Sequence, residues 1–251
     1  MSFALNPGNK VPDERATADP ESFISGQWVR IGQSGPIQLN FKSDGTVDVD
    51  FGNDGNIEVV SEFVLNNDTI TFRDKEGLAC KDIGKYVIYE SEYYISLDLI
   101  NDDCGGRLQA TMGFWVRPNF NDLISELNQK ILNTPEPEYF LSRGRIFMAT
   151  GKPKEAQMDL DVYIKNDSTH ARAFINRAGT RFPDDLEGAL MDCNKAIELE
   201  PDNKNAYFLR GLALYGLGEK ERACNDFSKA IELGFSILRE AEYQRCSEYW
   251  E

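Results

Sequence analysis

Between residues 26 and 117 the apolar side chains recur at every second position. In the run PIQLNFKSDGTVDVDFGNDG, Ile37, Leu39 and Phe41 share one face, and Gln38, Asn40 and Lys42 share the other. After Ser43-Asp44-Gly45 the alternation resumes, with Val47, Val49 and Phe51 set against Asp48 and Asp50. A period of two is that of a strand with one face on a core and one in water. The pairs Asp44-Gly45 and Asp54-Gly55 offer the positive φ that tight hairpins need. The pattern predicts eight short strands, near 26–32, 36–43, 46–52, 57–65, 68–73, 84–90, 93–100 and 107–117. Short connections make successive strands antiparallel neighbours. Eight strands in an up-and-down meander can close into a barrel, which removes both sheet edges.

From residue 119 the period becomes helical and the pattern repeats. Gly144, Ala178 and Gly211 fall 34 and 33 residues apart, and Ala156, Ala189 and Ala223 fall 33 and 34 apart. The segment ALMDCNKAIELEP at 189–201 is matched by RACNDFSKAIELGF at 222–235. Self-similarity at this period marks a solenoid of stacked helix–turn–helix units. Residues 121–133 place Leu123, Ile124, Leu127 and Ile131 on one face, like the second helix of an incomplete repeat. A one-dimensional stack needs such caps, because each repeat buries its apolar face only on its neighbours. The predicted organisation is a disordered lead-in over 1–21, a β-barrel over 22–118, a capping helix over 119–136, three repeats over 137–236 and a capping helix over 237–251. The fold class is thus two-domain, β then α.

The helical half resembles the tetratricopeptide repeat (TPR). Small residues stand where that family's helices cross: Gly144 with Ala156, Ala178 with Ala189, and Gly211 with Ala223. Pro201 closes the second repeat as the pattern asks, whereas the first ends in Asn166-Asp167-Ser168-Thr169. The second is one residue short around Phe182-Pro183-Asp184-Asp185. The resemblance implies that the first helix of each repeat lines a concave face. That assigns Leu141, Arg145 and Met148 from the first repeat, Arg172, Ile175, Asn176 and Phe182 from the second, and Asn205, Phe208, Leu212 and Tyr215 from the third. Of the lysine and asparagine clamp that some TPR proteins use for a terminal carboxylate, only Asn176 has a counterpart; Leu141 and Arg145 stand in two of its positions. The implied groove is apolar, rimmed by Arg145 and Arg172, and suited to an amphipathic helix or an extended segment. The other reading is a face already covered by the lead-in or the barrel.

The barrel resembles lipocalin-like domains. Gly26-Gln27-Trp28 on the first strand matches that group's Gly-x-Trp, and Arg117 in GFWVR matches the arginine that stacks on the tryptophan. The domain is shorter than a typical lipocalin and has no Thr-Asp-Tyr motif. A barrel this short can fill its interior with side chains. The combination of such a barrel with repeats of this kind resembles exported proteins of the Bacteroidota.

Charge narrows the partners. With 27 basic and 42 acidic residues the formal net charge is −15. Residues 1–118 carry 19 acidic and 10 basic side chains, and residues 119–251 carry 23 and 17. No Lys/Arg cluster is present to displace counterions from nucleic-acid phosphates, and an anionic membrane is disfavoured for the same reason. No apolar run reaches the roughly 18 residues of a membrane-spanning helix. The first 22 residues lack the charged start and apolar core of a signal peptide, as a processed secreted protein would.

The residues that carry chemistry are sparse. The single histidine, His170, has neither a nucleophile nor metal-ligand spacing around it. The acidic run Asp44–Asp54 fails the calcium-loop pattern, with Gly52 and Ser61 where oxygen ligands belong. The expectation is a non-enzymatic interaction scaffold without cofactor or metal, binding a protein or peptide partner. The alternative is a carrier of a small apolar ligand in the barrel.

The five cysteines bear on location. Cys80 and Cys104 are equidistant from residue 92, in the turn between the sixth and seventh strands, and Cys224 and Cys246 are equidistant from Phe235. In an antiparallel pair such residues meet, so both pairs suit disulfides. Two disulfides point to an oxidising compartment, periplasmic or extracellular. The alternative is four separate thiols in a cytoplasmic protein. Cys193 has no symmetric partner and reads as a buried, inert thiol.

Overall fold

The computed structural model describes residues 23–32, 35–77, 80, 82–102, 104, 107, 111–235 and 246. The expected lead-in over 1–21 and, apart from Cys246, the expected final helix over 237–251 lie outside them. The strands are β1 (Gly26–Gly32), β2 (Gly35–Phe41), β3 (Thr46–Phe51), β4 (Val59–Asn66), β5 (Thr69–Gly77), β6 (Gly84–Glu90), β7 (Tyr94–Asn101) and β8 (Gly113–Val116). Each pairs antiparallel with its neighbour in sequence, and β8 meets β1 at Val116 and Val29, closing the barrel. Register follows the alternation: Ile37 faces Phe51, Leu39 faces Val49 and Phe41 faces Val47, so the apolar set shares the inner face. Gly45 turns the β2–β3 hairpin with φ +79°, and Asp44 Oδ1 accepts from the Thr46 amide.

One end of the barrel holds Trp28 in its core. Trp28 is buried and donates its indole N–H to Ile24 O at 2.7 Å. The Arg117 guanidinium stacks 3.8 Å from the Trp28 ring centre and donates to the carbonyls of Phe23 and Ser25. The chain entering β1 is thereby tied to the chain leaving β8.

At the other end the structure corrects the sequence reading. The expected strand near 107–117 is reduced to Gly113–Val116, and Arg107 and Thr111 are helical. Arg107 is drawn inside, its side chain only 5% exposed. It donates two hydrogen bonds to Asp102, at 2.6 and 2.8 Å, and one to Asp82 O, and it lies 3.1 Å from Asp74. Asp102 also accepts from the Tyr86 hydroxyl and the Cys104 amide, and Asp74 accepts from the Ser61 hydroxyl and the Cys80 amide. A buried cation is tolerable when carboxylates and well-filled lone pairs surround it. Local alternation cannot reveal partners 5 and 33 positions away.

Seven helices follow among the described residues: α1 (Phe120–Asn133), α2 (Pro137–Ala149), α3 (Pro153–Asn166), α4 (Ala171–Arg181), α5 (Leu186–Leu199), α6 (Lys204–Gly216) and α7 (Lys220–Glu232). Three antiparallel pairs, α2–α3, α4–α5 and α6–α7, stack in sequence. None of these helices is long and apolar enough to cross a membrane. An ionic ladder threads the stack. Arg143 grips Asp159 of its own repeat with two donors and reaches back to Asn128 of α1. Arg177 does the same with Asp192 and Asp161, and Arg210 with Asp226 and Asn194. Asn128 thus stands to Arg143 as Asp161 stands to Arg177, so α1 occupies the outer-helix place of a repeat that has no inner helix. The barrel fills that gap. Tyr93, Tyr94 and Val116 share one apolar core with Leu127, Ile146 and Ala149, and α2 lies against β8 and β1.

Candidate partner-binding cleft

The outer wall of β6, β7 and β8 faces the inner helices, and this placement decides which groove residues are free. Leu141, at 7% exposure, is a core residue packed with Leu160, Tyr163 and Phe174. It points into the repeats, because a leucine at this position completes the α2–α3–α4 junction. Met148 packs on the edge of the same core. Arg145 is held by the barrel: it bonds the Tyr94 hydroxyl and lies 5.2 Å from the Tyr94 ring and 5.6 Å from that of Phe114. The first repeat's share of the expected groove is therefore covered by the barrel or turned into the core.

In the second repeat, Arg172 bridges to the barrel without filling the space behind it. Its Nη2 donates to Ser96 and Asp98 at 2.9 Å each, and its guanidinium lies 4.3 Å from the Tyr89 ring centre. Burial pushes the Asp98 carboxyl above the usual carboxylate range, and the positive charge of Arg172 opposes that rise. One repeat further on, Lys204 donates to Leu99 O at 3.0 Å and to Gly234 O at 3.3 Å. Burial holds its ammonium below the usual lysine range.

Between these two tethers and around them lies a cleft of about 1130 Å³. Ile100, Met112 and Phe114 line it from the barrel, and Ile175, Asn176 and Phe208 from the repeats. Phe208 is braced from below by Phe235, with ring centres 4.3 Å apart. Asn176 is only 7% exposed, and its Nδ2 has no hydrogen-bond partner among the described residues. Asn205, an expected groove residue of the third repeat, also borders the cleft, as does Phe235, which the repeat pattern did not assign to it. The remaining expected residues sit elsewhere: Leu212 and Tyr215 pack around Leu214 and Phe227, and Phe182 packs on Ala178 and Cys193. The sequence reading missed β7 as the opposite wall. The only hint was a strand whose outer residues Ser96 and Asp98 are polar next to an exposed Ile100.

A second space lies inside the barrel. It measures about 120 Å³, with walls that include Leu39, Val49 and Phe72 and a polar end formed by Ser61, Asp74 and Arg107. Beside that end Cys80 and Cys104 have Cα atoms 6.1 Å apart; Cys224 and Cys246 are 5.5 Å apart, so both pairs lie at disulfide distance. Cys193 is buried, and burial pushes its thiol up to about 12. His170 stands at a repeat junction with Tyr163 Oη and Asp167 Oδ2 each 3.0 Å from Nδ1.

Residues 205–233, which span α6 and α7, match the family model of the tetratricopeptide repeat. Among solved structures, a crystal structure of MamA protein is 24% identical over 52% of this chain and 75% of its own, with a TM-score of 0.48. The second TPR of Spaghetti (RPAP3), bound to the HSP90 peptide SRMEEVD, is 28% identical over 42% of this chain and 98% of its own, with a TM-score of 0.38. The Arabidopsis OM64 TPR domain is 23% identical over 45% of this chain and 93% of its own, with a TM-score of 0.41. With three stacked helix pairs and that family match, the helical half is a TPR solenoid joined to a closed eight-stranded barrel.

Proposed function

We propose that this protein is a non-enzymatic interaction scaffold that takes a protein or peptide partner in the cleft between the barrel and its second and third repeats. The observation that carries this reading is the two-sided lining of that cleft, with Ile100 and Phe114 facing Ile175 and Phe208. Sizeable apolar surface left between polar tethers marks an interaction site. The barrel supplies one wall, so it is a contact surface and not only a cap. A benzophenone side chain placed at Ile175 should cross-link partners in the native source, whereas one placed at Met191, 70% exposed on the outer helix α5, should not. Cross-links from Met191 alone would put the binding face on the outer side.

The barrel cavity favours a second, narrower reading as a carrier. A space of about 120 Å³ is close to the roughly 150 Å³ that holds a benzene-sized molecule. It suits a small apolar ligand and excludes a long-chain one. Native mass spectrometry of freshly purified protein tests this: a reproducible small adduct lost on unfolding supports it, and a bare mass speaks against it.

The two cysteine pairs support a periplasmic or extracellular location, in keeping with the resemblance to exported proteins of the Bacteroidota.

A further inference from the structure

We infer that the barrel cavity binds a small neutral molecule with an apolar body and one acceptor oxygen, as in a ketone or ester, and that Arg107 Nη1 donates to that oxygen. This rests on the carrier reading of the cavity, and it names the chemistry of what is carried.

The strands themselves reserve a polar end. On β4 and β5 the inward positions include Val59, Phe63, Ile70 and Phe72, all of them in the barrel core. Ser61 and Asp74 fall in the same alternation, are paired directly across the two strands, and line the cavity. A core that needed only packing would carry apolar side chains at both positions.

Arg107 is set against this end by contacts that use only part of its guanidinium. Nε and Nη2 donate to Asp102, and Nη2 also to Asp82 O. Gly84 leaves room for them: a Cβ there would meet Asp102 Oδ2 at 2.1 Å and Arg107 Nε at 2.7 Å. Those bonds suffice to tie the chain before β8 to the ends of β6 and β7. Nη1 is the nitrogen left over, and its near neighbour is Asp74, a wall of the cavity. The Asp74 oxygen lies 3.1 Å away but off the N–H directions, so Nη1 is buried with no hydrogen-bond partner among the described residues. Each Asp74 oxygen already accepts, Oδ1 from the Ser61 hydroxyl and Oδ2 from the Cys80 amide. The unmet demand at this end is therefore for an acceptor.

Charge and size set the ligand class. One guanidinium faces two carboxylates, Asp74 and Asp102, so negative charge is already in excess. A carboxylate ligand would add to it where little water screens it. A neutral carbonyl meets Nη1 without that cost. Leu39, Val47, Val49, Val59 and Phe72 take the hydrocarbon part, and about 120 Å³ limits it to roughly the size of benzene. A single water would answer Nη1 and leave the apolar walls unfilled.

The test uses the full chain with cyclopentane, cyclopentanone and cyclopropanecarboxylate, the last two equal in heavy atoms. Ligand-observed NMR titration measures uptake, and infrared spectroscopy reads the carbonyl stretch of bound cyclopentanone. Cyclopentanone should bind at least about tenfold more tightly than the carboxylate. Its stretch should fall below the value in hexane by at least the shift seen in water, because the donor is a cation. Arg107→Gln, checked by near-UV circular dichroism, should move the stretch back towards the hexane value; if that variant fails to fold, the wild-type spectrum still decides. Cyclopentane and cyclopentanone both bound, with the stretch as in hexane, would overturn the role of Arg107 while leaving the barrel a carrier of apolar ligands. A carboxylate bound more tightly than the ketone would overturn the neutral class. Uptake of none of the three would mean that the cavity holds solvent only, and would overturn the carrier reading and this inference together.

Discussion

Arg172 of α4 donates to Asp98 of β7 at 2.9 Å, so a side chain expected on the rim of an open groove is instead a strut between the two domains. Both partners remain about a third exposed, which limits the energy to the upper end of the surface ion-pair range. A double-mutant cycle with Arg172→Ala and Asp98→Asn, read by urea unfolding, should give a coupling of about 1 kcal/mol. No coupling would mean that the strut is incidental.

The same pair has a pH signature. Burial raises the folded-state pKa of Asp98, so its charged form costs stability above that pKa and nothing below the unfolded value. Arg172 opposes the rise, and removing it should push the carboxyl higher still. The stability gap between wild type and Arg172→Ala should therefore be small in the acid range, where Asp98 is protonated in both states. It should widen as pH rises through the raised pKa towards neutral. A gap independent of pH would show that Arg172 acts by packing on Tyr89 alone.

The ladder of arginines ranks its own variants. Asp226 has Arg210 as its ion-pair partner, whereas Asp192 keeps Arg181 at 3.2 Å when Arg177 is lost. Arg210→Ala should cost about 3 kcal/mol by leaving a buried carboxylate unpaired, and Arg177→Ala should cost less. Equal losses in thermal or urea unfolding would contradict this account of the ladder.

Two glycines at corresponding helix crossings should respond differently. A Cβ on Gly144 would meet Asp159 Cβ at 3.3 Å, whereas one on Gly211 would meet the Phe227 ring at 2.5 Å. Alanine gains about 1 kcal/mol of helix propensity at either site. Gly144→Ala should be close to neutral, and Gly211→Ala should lose about 1–2 kcal/mol net because the ring must move. Calorimetry of the two variants decides it.

The cysteines give a chemical check. Peptide mapping without reduction should recover Cys80 linked to Cys104 and Cys224 linked to Cys246. Cys193, buried with its thiol pushed up to about 12, should resist alkylation at mildly alkaline pH until the protein unfolds. Five free thiols in protein from its native source would contradict the pairing and the oxidising compartment.

How much of this was legible in the sequence depends on the range of the interaction. The alternation from Ile37 to Phe51 and the repeat of alanines at 156, 189 and 223 are local or periodic, and both specify elements directly. The Trp28–Arg117 stack was reachable through resemblance. Arg107 was misread as a strand residue because Asp74 and Asp102 reach it only in three dimensions. The ladder was available as Arg143, Arg177 and Arg210 against Asp159, Asp192 and Asp226, at the period already seen in the alanines, but charged residues on helices are ordinarily taken as solvated. The groove was misjudged at Arg145 for a different reason. A repeat pattern describes one domain, and it carries no information about the barrel wall that docks on it.

The most direct test of the binding site is amide hydrogen exchange on the full chain, with and without a saturating amount of a partner identified by cross-linking at Ile175. Protection gained along β7, α4 and α6 is the predicted result. Protection confined to the outer helices α3, α5 and α7, with β7 unchanged, would contradict a site shared between barrel and repeats.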